Sequence, residues 1–116
     1  PSISLLNLAS NDMMTQSMQQ EISPLRWRGN IHMAGLEPWV EFDWIGKTVT
    51  LGEAELIIRE PIVRCLATTA NPDTGERDAE TLTALKTHFG HQNFGIYAEV
   101  TRSGDIALGD PIEVLE

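Results

Sequence analysis

The strongest constraint on the fold is a pair of alternating segments joined by two residues that favour a turn. Lys47 to Leu51 alternates polar and apolar side chains, and the alternation resumes from Ala54 to Arg59. A period of two is typical of a strand with one buried face, and Gly52-Glu53 between the segments can form the turn. The sequence therefore predicts a β-hairpin over residues 47–59 and a sheet that extends from it.

Further short apolar segments predict additional strands beside this hairpin. They are residues 3–8, 25–28, 30–33, 62–63, 94–101, 106–108 and 112–115. Residues 35–44, rich in aromatic and acidic side chains, are expected to form a loop, and residues 71–75 a turn. Many short strands predict a mostly β fold, a small barrel or sandwich.

Two short helices complete the predicted architecture. The first is capped by Ser10 or Asn11 and ends near Gln20, and the second is capped by Asp78 and stopped by Gly90. At 116 residues the chain is expected to form a single domain. Within it, residues 1–23 form an N-terminal strand and helix, and residues 24–116 form the barrel portion.

Composition excludes several classes of partner. The chain has 8 Lys and Arg against 17 Asp and Glu, a formal net charge of −9, so we expect no nucleic-acid binding. Its apolar runs are far shorter than the ~20 residues of a membrane-spanning helix, so we expect no membrane association. A single cysteine excludes an internal disulfide framework and suits a reducing, cytoplasmic compartment.

That single cysteine, Cys65, is the best indication of chemistry. It follows an apolar strand, has Arg64 beside it, and precedes a stretch rich in Thr, Asn, Pro, Asp and Gly. A thiolate is both a nucleophile and a soft metal ligand, and a neighbouring cation stabilises it. A lone cysteine is also often an inert core residue, so its position alone leaves both interpretations open.

Four segments carry a resemblance to a known family. They are residues 26–31 (RWRGNI), 38–44 (PWVEFDW), 64–75 (RCLATTANPDTG), and 94–98 with 104–110 (FGIYA and GDIALGD). In this order they resemble the MOSC domain, which is named for the C-terminal part of molybdenum cofactor sulfurase. The mitochondrial amidoxime-reducing component and related bacterial reductases also carry it. The resemblance covers roughly residues 24–115.

The resemblance implies a β-barrel, here possibly incomplete, that binds the molybdenum cofactor, molybdopterin. Cys65 matches the cysteine of the family that ligates molybdenum in the reductase branch or carries sulfur in the sulfurase branch. Arg28 and Asn30 match an Arg-x-Asn motif that lies against the pterin. Pyridoxal phosphate binding is not expected.

The segment around the thiol supplies the remaining candidate residues. By the resemblance, Arg64, Thr68 and Thr69 line the cofactor pocket. Together with Asn71, the two threonines can donate hydrogen bonds to the cofactor, or can simply form a turn by bonding their own backbone. Arg28 and Arg64 can bind an anion, or pair with Glu41, Asp43 or Glu60 at the rim of the barrel.

Three functions follow from these residues, and the sequence leaves open whether the chain is an enzyme. A molybdenum-dependent oxidoreductase would reduce N-hydroxylated compounds with electrons from an external donor protein. A sulfur carrier, or cofactor-delivery module, would hold a persulfide on Cys65 supplied by a cysteine desulfurase. A binding module that kept only the fold would bury an unreactive Cys65.

Family members usually have further barrel strands before the point where this sequence starts. We therefore expect either a fragment or a short form completed by a partner. Open strand edges favour pairing with a second copy or with another chain.

Two other groups of residues merit attention. Glu41 and Asp43 can share one side of an extended segment, where burial would raise one pKa, although a solvated loop is expected. His88 and His91 with Cys65 suggest zinc only weakly, because Gly90 interrupts the helix and a structural site needs four ligands. The three tryptophans are expected to pack the barrel, with Trp39 or Trp44 able to border a pterin.

Overall fold

The computed structural model describes residues 2–115, apart from the side chain of Leu66, and contains a six-stranded sheet. Its strands are β1 (Ser2–Asn7), β2 (Ile31–Met33), β3 (Thr48–Leu51), β4 (Ala54–Val63), β5 (Asn93–Arg102) and β6 (Ile112–Leu115). The spatial order is β2-β1-β5-β4-β3-β6. The β1–β2 pair is parallel and the other pairs are antiparallel. The predicted mostly β fold is confirmed.

Two helices and three short 3-10 turns connect these strands. Helix α1 is Leu8–Met18, and α2 is Thr81–Ala84, which continues as a π-helical segment, Leu85–Phe89. We name the 3-10 turns the Trp27 turn (Pro24–Trp27), the Glu41 turn (Val40–Trp44) and the thiol turn (Leu66–Thr69). Within residues 2–115, no helix is both long and apolar enough to cross a membrane.

The hairpin predicted over residues 47–59 is present as β3 and β4. Leu51 pairs with Ala54, so two residues form the turn, and the first of them, Gly52, has a φ of +56° that favours glycine. Strand β4 is longer than predicted, because it continues through the expected 62–63 segment to Val63. It therefore carries the chain from the hairpin directly to Cys65.

The predicted strands over residues 25–28 and 106–108 are wrong, because local hydrogen bonds hold the backbone of these residues in other conformations. Residues 25–28 contribute to the Trp27 turn, because Ser23 Oγ accepts from Leu25 N at 3.3 Å and Pro24 fits the first position of a helical turn. Residues 106–108 form a loop, because the Asp110 carboxylate accepts from Ala107 N at 2.7 Å.

Both predicted helix starts are also wrong. Helix α1 begins three residues early, because Asn7 Oδ1 accepts from Ala9 N at 3.0 Å and acts as the N-cap, while Ser10 and Asn11 are buried. Helix α2 begins at Thr81, because the Asp78 N–H already donates to Thr69 O at 3.0 Å. The stop at Gly90 is confirmed by its φ of +76°.

The sheet buries both faces. Leu5 packs into a cluster inside the curled sheet with side chains of β3, β4 and β5, whereas Leu6 packs with the helices on the other face. Gly95, at a φ of +83°, places Phe94 and Ile96 in opposite clusters. The Phe94 ring stacks on the Trp27 ring with centroids 3.9 Å apart. Each fully buried large side chain contributes about 1.5–3 kcal/mol.

The sheet curls without closing. Among the described residues, β2 and β6 are the edge strands and do not pair with each other. The side of β2 and the segment before β6 face one another across an open groove of about 530 Å³. Exposed Leu25, Ile106 and Leu108 line an adjoining groove. The fold is therefore a half-barrel with two helices, which confirms the expected incomplete barrel with two short helices.

The expected solvated loop around Glu41 and Asp43 is wrong for Glu41. The Glu41 turn directs this carboxyl inward, where it is fully buried and accepts from Asn7 Nδ2 at 2.7 Å and from Ser10 Oγ at 3.2 Å. Burial raises the pKa of Glu41, against the opposing effect of these hydrogen bonds. Asp43 is exposed, so the two carboxylates do not share one side.

We predict that Glu41 makes the stability of the fold depend on pH. Because its pKa is raised in the folded state, its contribution is fully present below the ordinary value of 4.5 and is lost as the pH rises through the folded-state pKa. The free energy of unfolding of Glu41→Gln should therefore increase relative to that of the wild type as the pH rises above 4.5. Urea unfolding at a series of pH values measures this.

Two further variants check the assignment to Glu41. Glu41→Ala should lose about 1–3 kcal/mol, because it leaves the Asn7 and Ser10 donors unpaired. Asp43→Asn alters an exposed carboxylate two residues away whose charge makes only the smallest contribution to the raised pKa of Glu41, so it should change the pH profile much less than Glu41→Gln does. A profile that follows Asp43 instead of Glu41 would contradict the prediction.

Candidate functional site

Cys65 lies where the chain leaves the sheet. After β4 ends at Val63, Arg64 N donates to Gln92 O at 2.8 Å, and Gln92 Nε2 donates back to Arg64 O at 2.6 Å. Cys65 then precedes the thiol turn in an extended conformation, and its carbonyl accepts from Thr68 N at 3.2 Å and Thr68 Oγ1 at 3.1 Å. The backbone of Cys65 is thus held on both sides.

The Cys65 side chain is exposed. Burial of this cysteine, which was expected for a module that kept only the fold, is therefore wrong. An exposed thiol on a fixed backbone is open to a metal, to a sulfur donor or to an alkylating reagent.

Arg64 lies between the thiol and the sheet. Its Nε donates to Phe94 O at 2.8 Å, and its Nη1 donates to Trp27 O at 2.8 Å. Its Nη2 is buried and has no hydrogen-bond partner among the described residues, 2–115. Burial lowers the pKa of Arg64, and the nearby Tyr97 and Cys65 oppose this shift. The ion pairs found within residues 2–115 include neither Arg64 nor Arg28.

Arg28 and Asn30 follow the Trp27 turn directly. Arg28 is exposed, and its φ of +55° is rare for a residue with a Cβ. The Asn30 side-chain oxygen accepts from Ser4 N at 2.8 Å and from Ser4 Oγ at 3.1 Å, which ties this segment to β1. Between them, a Cβ on Gly29 would overlap the Leu6 side chain, so only glycine fits this close approach to the sheet.

The structure brings the Arg28–Asn30 segment and the Cys65 segment together. The bond from Arg64 Nη1 to the carbonyl of Trp27 joins the residue before Cys65 to the residue before Arg28. These segments are 37 residues apart in sequence, and one side chain aligns them.

Thr68, Thr69 and Asn71 mainly build the loop after the thiol. Thr68 is buried, and its hydroxyl lies 2.8 Å from Thr81 Oγ1. Thr69 is also buried. Asn71 Oδ1 accepts from Asp73 N at 2.8 Å and from Thr74 N at 3.3 Å, an arrangement typical of a turn former.

Sequence reasoning missed Arg26 and Gln92. Arg26 lies in the Trp27 turn with its side chain 3% exposed, and its Nη1 is 2.9 Å from Asp78 Oδ1. Arg26 belongs to the RWRGNI segment, but sequence periodicity does not distinguish a buried arginine from a surface arginine. The sequence around Gln92 likewise gives no signal for the hydrogen bond from its side chain to the backbone carbonyl of Arg64.

His91 and the three tryptophans pack, whereas His32 and His88 are exposed. His91 lies edge-on to Trp39, with centroids 5.4 Å apart, and accepts from Asn93 N at 3.1 Å. Burial lowers the pKa of His91. Trp27 and Trp44 are buried, as expected for packing, and Trp39 is partly buried beside Phe89.

Comparison with known proteins identifies the class. The MOSC domain family matches residues 2–113, so the chain belongs to the MOSC domain family. The match starts at residue 2, so it includes β1 and α1 as well as the 24–115 segment that carries the resemblance.

Curated relatives fall into two groups. Mitochondrial amidoxime-reducing component 1 of Mus musculus is 30% identical over 96% of this chain and 36% of its own length. Molybdenum cofactor sulfurase of Anopheles gambiae is 34% identical over 71% of this chain and 10% of its own length. The chain thus spans about a third or less of these relatives.

Solved structures share the fold. YuaD of Bacillus subtilis superimposes with a TM-score of 0.74 at 22% identity, over 97% of this chain and 62% of its own. YiiM of Geobacillus stearothermophilus gives 0.71 at 16% identity, over 98% and 54%. These similarities establish the half-barrel as part of a known fold.

We predict that native Cys65 reacts with a maleimide at close to its rate in the urea-unfolded chain, because the side chain is exposed. Mass spectrometry over a time course measures single labelling, and the lone cysteine removes any ambiguity about the site. A native rate slower by orders of magnitude would show that the thiol is protected.

Proposed function

We propose that this MOSC domain binds the molybdenum cofactor, with the Cys65 thiolate as a ligand of molybdenum. The observation that carries the proposal is an exposed thiol whose backbone is held on both sides at the end of a central strand. The names of the relatives, molybdenum cofactor sulfurase and amidoxime-reducing component, support this ligand class.

The residues present fit this group at the thiol. Molybdenum in a high oxidation state takes soft anionic ligands, and Cys65 is the chain's one source of a thiolate. The partly buried guanidinium of Arg64 places a positive charge on the residue next to the thiol. Its Nη2, without a hydrogen-bond partner within residues 2–115, adds a donor beside the same backbone.

The other candidate residues take distinct roles in this proposal. Arg28, exposed and without an ion-pair partner within residues 2–115, would hold an anionic part of the cofactor, and Asn30 would lie against the pterin. Arg64, Thr68, Thr69 and Asn71 would shape the wall around the thiol. When bound, the cofactor supplies two-electron reduction of N-hydroxylated compounds, with electrons from an external donor protein.

A sulfur carrier is the second candidate, favoured by the same exposed thiol. The Cys65 thiolate would attack the terminal sulfur of a cysteine desulfurase persulfide. The desulfurase cysteine would leave as a thiolate, and Cys65 would keep the sulfur as a persulfide.

The surroundings of this function are also proposals. The free edges of β2 and β6 favour pairing with a second copy or with a partner chain, because unpaired N–H and C=O groups line such edges. A working free thiol suits a reducing, cytoplasmic compartment.

We predict that the chain produced in a host that makes the cofactor retains molybdenum, and that Cys65→Ser retains less than about a tenth of it, because serine is a much weaker soft-metal ligand. Metal analysis, with pterin fluorescence, gives the occupancy. Thermal unfolding checks that the variant folds.

A matched pair tests the role of Arg28 in the same assay. Arg28→Gln should weaken cofactor retention, whereas Arg59→Gln removes an exposed arginine that pairs with Glu99 at 3.0 Å and should not. A molybdenum content in Cys65→Ser equal to that of the wild type would contradict the role of Cys65 as a ligand.

For the carrier, we predict a mass increase of one sulfur on Cys65 after incubation with a cysteine desulfurase and cysteine. Cys65→Ser is the control and should gain nothing. An unmodified wild-type chain under conditions that load a known acceptor would contradict the carrier.

A further inference from the structure

Arg26 is buried at the centre of the contacts behind the thiol. Its side chain is 3% exposed, and Nη1 pairs with Asp78 Oδ1 at 2.9 Å and donates to Thr68 O at 3.4 Å. An arginine is rarely buried to this extent without a specific partner. Here the partners belong to the segments on either side of the 70–77 loop.

These two partners control the thiol turn. Thr68 donates from both its N–H and its hydroxyl to the carbonyl of Cys65. Asp78 N donates to Thr69 O at 3.0 Å, and Asp78 Oδ2 accepts from Asn71 at 2.9 Å. By joining Thr68 to Asp78, Arg26 fastens the C-terminal end of the thiol turn.

The N-terminal end is fastened to the same place. Arg64, next to Cys65, donates to the carbonyl of Trp27, the neighbour of Arg26. Two arginines therefore attach both ends of the thiol turn to the Trp27 turn. The Trp27 turn leads directly into Arg28 and Asn30, so any shift between the two turns would shift Cys65 relative to those residues.

We propose that Arg26, paired with Asp78, is a positioning residue that keeps Cys65 in register with Arg28 and Asn30. The role of this register in cofactor binding rests on the proposed function, whereas the alignment of the two turns by Arg26 does not. An ion pair between a buried arginine and a partly exposed aspartate contributes little net stability compared with apolar packing. Its contribution here is to select one arrangement of the two turns. In that arrangement the Nε of Arg26 is buried without a hydrogen-bond partner among residues 2–115.

A nitroxide attached to Cys65 tests the register without any cofactor, since the chain has no other cysteine. The variants are Arg26→Gln, Arg26→Lys and Asp78→Asn, with Arg59→Gln as the control that removes an exposed ion pair elsewhere. Electron paramagnetic resonance should show faster nitroxide motion in Arg26→Gln and Asp78→Asn, partial recovery in Arg26→Lys, and no change in Arg59→Gln.

Hydrogen exchange separates a local effect from general destabilisation. The amides of Thr68, Ala70, Asp78 and Ala79 bond within the thiol turn and the segment beside it. In Arg26→Gln they should exchange about tenfold faster, the factor expected from losing one hydrogen bond to a charged group, while amides of β4 and β5 keep their rates. Asp78→Asn repeats the test at a partly exposed site if Arg26→Gln does not fold.

Unchanged nitroxide motion and exchange in both Arg26→Gln and Asp78→Asn would overturn the proposal. A mobile thiol turn in a variant that still retains wild-type molybdenum would support the register and contradict its role in cofactor binding. Loss of molybdenum in Arg26→Gln but not in Arg59→Gln would support the positioning role. If the wild type binds no molybdenum, the proposed function fails, and the nitroxide and exchange results still decide whether Arg26 holds the register.

Discussion

The candidate site depends on how Arg64 closes the end of the β4–β5 pair. Its backbone bonds to Gln92 on both sides, and its guanidinium reaches the carbonyls of Phe94 and Trp27. These bonds convert a strand end into a fixed support for the next residue, Cys65. Losing this partly buried guanidinium would remove its hydrogen bonds to both carbonyls, and the Cys65 segment would lose its attachment to the Trp27 turn.

What the sequence predicted well was local. Period-two alternation located β3 and β4, because an apolar face against a core leaves that signal in a strand. The motif around Cys65 led to the correct family. Three of the wrong predictions share a cause: Asn7, Ser23 and Asp110 each bond a nearby backbone group, and such bonds override weak strand or cap preferences.

Burial of polar side chains was the part that the sequence did not reveal. Glu41 was expected in a solvated loop, and nothing in the predicted 25–28 strand marked Arg26 for burial. Both are buried, because their partners come from distant parts of the chain. Asn7 lies 34 residues before Glu41. A single sequence contains no pattern for such pairs, since each side chain is equally compatible with water until the fold brings its partner close.

The polar contacts divide the candidate site into residues that are held by bonds to the protein and exposed residues that can contact a ligand. Arg64, Thr68 and Asn71 direct most of their donors and acceptors to the protein, so they can shape the site more readily than they can change partners. Cys65 and Arg28 are exposed, and within residues 2–115 no hydrogen bond engages the Arg28 guanidinium. A ligand with a soft metal and an anionic group matches these two. The Trp27 turn then has to maintain the spacing between Cys65 and Arg28. Holding these two residues in a fixed arrangement lowers the entropic cost of binding, which favours recognition more than additional contacts would.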